Sequence, residues 1–125
     1  MRRVVDGMNV IGSRPDGWWR DRTGAMRRLA GELDRLAART GDPITLVLDG
    51  RPRDVGTPDA VAVVFAPGGP NAADDEIARR VAADADPGSL LVTTSDADLV
   101  RRVTEAGGQV EGAGTLRRRL DELSP

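Results

Sequence analysis

The chain contains no cysteine, no histidine and, since all 18 of its basic residues are Arg, no lysine. Without cysteine there is no disulfide framework, no thiolate nucleophile and no thiolate zinc site. Without histidine the commonest general base and the commonest transition-metal ligand are both missing. No apolar run approaches the roughly 18 residues that a membrane-spanning helix needs. Arg2 and Arg3 are not followed by the apolar core and small-residue cleavage site of a signal peptide. The expected location is therefore cytoplasmic. Chemistry, if the chain performs any, must come from carboxylates, hydroxyls, amides, guanidinium groups, or a hard metal ion held by oxygens.

A length of 125 residues fits one compact domain over 1–125 and is too short for two. The net charge of −2 argues against a uniformly basic surface while leaving room for local patches. Four apolar runs, RRVVDG, ITLVLDG, AVAVVFA and SLLVTTSD, read as short buried strands bounded by Gly, Pro or Asp. Met26, Leu29, Ala30, Leu33, Leu36 and Ala37 mark one face of a helix from about Asp21 to Thr40. A second helix is predicted from Ala72 to about Ala85, and a third from near Asp96 to just before Gly107. A short strand near Gln109 and Val110 and a final helix from Leu116 to Leu123 follow. In that last helix, Leu116, Leu120 and Leu123 form a docking stripe and Arg117 to Arg119 form a solvated run. No stripe demands a dimer. Strands alternating with helices imply an α/β fold, a mainly parallel sheet covered on both faces. The longest irregular piece is SRPDGWWRDRTG, residues 13–24, of a length that tends to be functional or mobile in a small domain.

In an open parallel sheet ligands bind beyond the carboxyl ends of the strands. Three predicted strands end there in Asp6, Asp49 and Asp96, and Asp74 with Asp75 opens the second helix from the same edge. Four acidic segments on one rim repel one another unless a cation occupies it. Mg²⁺ or Mn²⁺ suits oxygen ligands and needs none of the residues the chain lacks. Such an ion lowers the pKa of bound water and neutralises phosphoryl charge, the equipment for cutting a phosphodiester. Each acidic residue also has a plainer reading. Asp-Gly closes turns at Asp6 and Asp49. Asn71 with Asp74, and Ser95 with Asp98, resemble capping boxes, and Asn9 is suited to a local backbone bond.

The motifs D-x-x-N after the first strand (Asp6, Asn9), LVLDG after the second, A-D-D-E-I at a helix start and V-T-T-S-D-A-D after a later strand resemble the NYN domain. The resemblance is to its YacP-like branch within the PIN-like nuclease superfamily, and it covers nearly the whole chain in the expected order. It departs at Met8, where relatives often carry an aromatic side chain. The resemblance implies a three-layer PIN-like α/β/α sandwich and a Mg²⁺- or Mn²⁺-dependent endoribonuclease acting on single-stranded or loop RNA. Carried over by position, Asp6, Asp74 and Asp96 look like the metal-holding carboxylates, and Asn9 like the residue that orients the scissile phosphate. Asp49, Asp75 and Asp98 take supporting places. Arg14, Arg20, Arg22, Arg51 and Arg53 are candidates to hold RNA phosphates, and Trp18, with Trp19, to stack on unpaired bases. The runner-up reading is a non-catalytic RNA-binding or ribosome-associated module on the same fold. A phosphatase or a topoisomerase-primase-like domain ranks lower. The first strand lacks D-x-D, and no Glu stands where the primase-like fold expects its base.

Overall fold

The computed structural model describes residues 1–123. Five strands form one sheet in the order β3-β2-β1-β4-β5, with every pairing parallel. They are β1 (Arg2–Asp6), β2 (Ile44–Asp49), β3 (Val61–Ala66), β4 (Leu90–Thr93) and β5 (Gln109–Glu111). Five α-helices accompany them: α1 (Gly7–Gly12), α2 (Arg22–Thr40), α3 (Ala72–Ala83), α4 (Ala97–Glu105) and α5 (Ala113–Leu123). Among the described residues no helix is long and apolar enough to cross a membrane.

Alternation along the strands assigns the two layers. Val5, Leu46 and Leu48 face a core shared with α1, α2 and α5, where Leu33, Leu36 and Leu116 are fully buried. Val4, Val47 and Val92 face the opposite core, filled by Ile77 and Val81 of α3 and Leu99 and Val103 of α4. Both faces of the sheet are thus covered, which is why its strands read as near-continuous apolar runs. The three-layer α/β/α expectation agrees with this architecture.

α2 starts and stops on local signals. The Asp21 side chain accepts from Gly24 N at 2.9 Å, and Gly41 takes the left-handed conformation (φ 75°) that closes the last turn. Between β2 and β3 the chain crosses without a helix over 50–60. That stretch is fastened by buried Val55 and by Asp34, whose carboxylate accepts from Asp59 N and Ala60 N.

Three boundaries differ from the sequence expectation. α1 was not expected; it turns straight out of β1 through Gly7. A Cβ on Gly7 would stand 2.5 Å from Leu48 Cδ2, 2.9 Å from Leu46 Cδ1 and 3.0 Å from the Val47 carbonyl oxygen. β4 ends at Thr93, so Asp96 is the N-cap of α4 rather than a strand end; the side chains of Thr94 and Asp96 accept backbone N–H groups and turn the chain early. α5 begins at Ala113, one turn before Leu116, because Ser95 Oγ accepts from Ala113 N.

Because β1 lies in the middle, with β2 on one side and β4 on the other, the crossovers diverge between β1 and β4. At such a point the connections leave a crevice beyond the strand ends. Asp6 is the last residue of β1, at the mouth of that crevice.

Candidate functional site: an acidic rim at the switch point

Asp6 is 4% exposed. Its Oδ2 accepts from the Thr94 hydroxyl at 2.8 Å, and Thr94 Oγ1 accepts in turn from Asp96 N at 3.1 Å. This relay joins the end of β1 to the start of α4 across the switch point. Burial pushes the Asp6 carboxyl up to about 6 against the opposing Thr94 hydrogen bond, with Asp74, Asp49 and Asp96 adding to the rise. Asp74, half-buried in the first turn of α3, is likewise raised, by burial and then by Asp96 and Asp49, with Arg102 pulling the other way. Four carboxylates from four segments therefore share one electrostatic neighbourhood.

Each of the four keeps a distinct local anchor or environment. Asp96 caps α4, its Oδ1 accepting from Leu99 N at 2.9 Å. Asp49 Oδ1 accepts from Ala73 N at 3.2 Å, so the end of β2 supplies the cap for α3. Asn71, at the N-cap position, makes no side-chain cap bond. The capping box predicted there is replaced by a carboxylate from another element, favourably placed against the helix dipole. The box predicted for Ser95 with Asp98 is also absent, since Asp96 caps that helix. As the side chains lie, no three acidic groups among the described residues converge closely enough to chelate one ion.

Asn9 does not make a local bond. From α1 its Oδ1 reaches Ser95 N at 2.8 Å, a span of 86 residues. With the carbonyl end of the amide so engaged, its two N–H donors are available to a ligand. Beside it lies an open recess of about 360 Å³ lined by Met8, Asn9, Gly12, Ser13, Ser95 and Ala113.

The remaining candidates divide by place. Asp75 pairs with Arg102 at 2.8 Å and Asp98 with Arg101 at 2.7 Å, both on exposed helix surface. Arg14 is half-buried and committed: its two terminal nitrogens each reach Glu32 at 3.1 Å, and Asp121 lies 3.2 Å away. Arg20 lies over the Trp19 ring at 5.9 Å and Arg22 over the Trp18 ring at 5.3 Å. Arg51 and Arg53 are exposed on the loop after β2, Arg53 donating to Thr23 Oγ1. Sequence reasoning passed over Thr94 and the backbone of Ser95. The run V-T-T-S-D contains them, but the hydroxyl's partner is 88 residues away.

No family model matches the chain. It is 41% identical over 101 residues to a UPF0178 protein of Xanthomonas oryzae pathovar oryzae, covering 79% of this chain and 58% of that protein. A UPF0178 protein of Xanthomonas campestris pathovar campestris is 47% identical over 77 residues, 60% of this chain and 43% of that one. The chain thus spans about half the length of the curated relatives it matches. Among solved structures, Rae1 (YacP) from Bacillus subtilis superposes with a TM-score of 0.80 at 22% identity, over 98% of this chain and 75% of that one. A point mutant of it gives a TM-score of 0.78 at 22% identity, over 98% and 77%. The fold is that of YacP.

Proposed function

We propose that the acidic rim is the centre of a metal-dependent endoribonuclease. The observation that carries the reading is a carboxylate buried at the switch point of a parallel sheet, pushed up to about 6 chiefly by burial, with the charges of Asp74, Asp49 and Asp96 adding to the rise. Structural turns account for one such residue; they do not account for burying it among its own kind, at a cost that a cation would remove.

The donors at hand are carboxylate, hydroxyl and amide oxygens, the set that hard cations select. Mg²⁺ keeps several of its waters and commonly takes one or two carboxylates directly, so a rim without a closed acidic trio still fits it. Asp6, Asp74 and Asp96 would hold the ion, with Asp49 near them. When bound, Mg²⁺ or Mn²⁺ supplies an activated water and neutralises charge on the phosphoryl group. The Thr94 hydroxyl fixes the rotamer of Asp6, and the Ser95 N–H fixes the amide of Asn9. That leaves the Asn9 N–H donors to a non-bridging phosphate oxygen. With no histidine in the chain, a two-histidine route through the 2′-hydroxyl is closed, and products with 5′-phosphates are expected.

End-labelled single-stranded and hairpin RNAs incubated with Mn²⁺ test the reading. The wild type is expected to cut them to 5′-phosphate products, and Asp6→Asn to lose at least about 100-fold in rate, the scale of removing a group that acts in the transition state. A wild type as inert as Asp6→Asn across both RNA types sinks it. One observation favours a second reading, a non-catalytic RNA-binding module: the Asp49 and Asp96 carboxylates already serve as helix caps. Its signature is RNA binding that survives EDTA with no cleavage and no rise in melting temperature on adding metal.

A further inference from the structure

The two tryptophans of the 13–24 segment are adjacent in sequence and opposite in circumstance. Trp18 packs against the buried core of the α2 layer, and the Arg22 guanidinium covers its ring at 5.3 Å. Trp19 meets Trp18 edge to face, with centroids 6.0 Å apart, and is 56% exposed. Among the described residues, Trp19 and Met1 are the exposed large apolar side chains. Keeping an indole in water costs the fold burial it would otherwise gain. The short 3-10 turn over Trp18–Arg20, entered through Gly17 in the left-handed conformation (φ 74°), presents Trp19 outward.

Two arginines stand beside the tryptophans, with Asp21 between them in the chain. Arg20 is exposed and lies 5.9 Å from the Trp19 ring centroid, and Arg22, also exposed, covers the Trp18 ring. A Cβ on Gly12 would come within 4.0 Å of Trp18 Cζ2, and Gly12 also lines the recess beside Asn9. Gly12 therefore links the recess beside Asn9 to Trp18, against which Trp19 stands edge to face. An exposed aromatic face with arginines beside it has the two parts that grip an unpaired strand: a π-face for a base and guanidinium groups for the flanking phosphates.

We infer that Trp19, with Arg20 and Arg22, is a stacking platform for an unpaired nucleobase of the substrate strand, lying beyond the recess beside Asn9, and that it selects single-stranded over double-stranded RNA. The strand's continuation to the rim rests on the nuclease reading; the platform itself does not. A base held in a duplex keeps its faces against its neighbours and has none to offer Trp19.

The test is equilibrium binding, followed by fluorescence anisotropy of a dye-labelled 12-nucleotide single-stranded RNA in EDTA, with Asp6→Asn as the parent so that no strand is cut. Trp19→Ala is expected to weaken binding about tenfold, within the range of a single base stack. Trp19→Phe is expected to recover most of it, while binding of a 12-base-pair duplex stays unchanged throughout. Thermal melting of Trp19→Ala should match the parent, because the ring is exposed. Equal affinity of Trp19→Ala and parent for the single strand overturns the inference, as does an equal loss for the duplex. A parent that sediments as a dimer which Trp19→Ala makes monomeric also overturns it, by assigning the indole to a second copy of the chain. Binding that depends on Trp19 in a protein whose wild type cuts nothing would refute the nuclease reading and keep the platform. Cleavage indifferent to Trp19 would do the reverse.

Discussion

Asp6 sets a carboxylate where 4% of its surface meets solvent and gives it one side-chain donor, the Thr94 hydroxyl. Its folded pKa of about 6 lies above the ordinary 3.8, so between those values the folded chain binds more protons than the unfolded one. The stability tied to protonated Asp6 is present below about pH 4 and is lost as the pH rises through about 6. This loss amounts to about 3 kcal/mol on the scale of 1.36 kcal/mol per pKa unit. Urea midpoints taken from pH 4 to 7.5 should therefore decline for the wild type. Asp6→Asn, neutral at every pH and still able to accept from Thr94, should flatten that decline and be the more stable protein at pH 7.5. A destabilised Asp6→Asn at pH 7.5 would mean that the carboxylate is welcome where it lies. Mn²⁺ should raise the wild-type melting temperature at pH 7.5 and leave that of Asp6→Asn unmoved, a comparison that needs no RNA. Thr94→Val removes both the donor to Asp6 and the acceptor for Asp96 N. It is expected to cost about 1–3 kcal/mol in the same urea assay, the usual penalty for stranded buried polar groups.

At the scale of elements, α1 exists because Gly7 lets the chain turn out of β1 directly over β2. Gly7→Ala would put a methyl group against two leucine methyls and the Val47 carbonyl oxygen. The leucine tips can rotate away and the carbonyl cannot, so α1 must shift. The expected cost is about 1–3 kcal/mol in chemical denaturation, the range for overpacking a tight site. The shift would also carry Asn9 away from Ser95; an unchanged midpoint would show that the contact relaxes freely. This helix is the element the sequence least discloses: G-M-N-V-I-G has a glycine at each end, no capping side chain and too few residues to show a period. α2 is the opposite case, with its Asp21 cap, its apolar stripe and Gly41 all local and all legible. The strands were readable because Val, Leu and Ile fill both faces of a covered parallel sheet. The chain does not reveal from spacing alone that Asp49 caps α3 or that Thr94 meets Asp6, since each bond joins elements that only the completed sheet brings together. The acidic positions could thus be read as a set from their places at element ends. Their individual anchors could not, and Arg14, which looks free in the sequence, is held by Glu32 of α2.

On the scale of the molecule, the strand order makes the rim. With β1 central, Asp6 lies where the crossovers part, and Asp49, Asp74 and Asp96 arrive from β2, α3 and α4 at the same edge. At the carboxyl end of β5, on the same edge, an acidic group is tied down by an ion pair instead. Arg3, 6% exposed, donates to Glu111 at 2.8 Å, and the Thr93 hydroxyl shares the same carboxylate oxygen at 2.8 Å. Glu111 has a cation beside it, whereas Asp6 has none in hydrogen-bond contact, a contrast within one fold between charge that is matched and charge that is held ready. The most direct test of that contrast is the anomalous difference map of a crystal soaked in Mn²⁺. A peak bounded by Asp6, Asp74 and Asp96 is the predicted result; a map with no peak at that rim, at full Mn²⁺ soak and neutral pH, contradicts it.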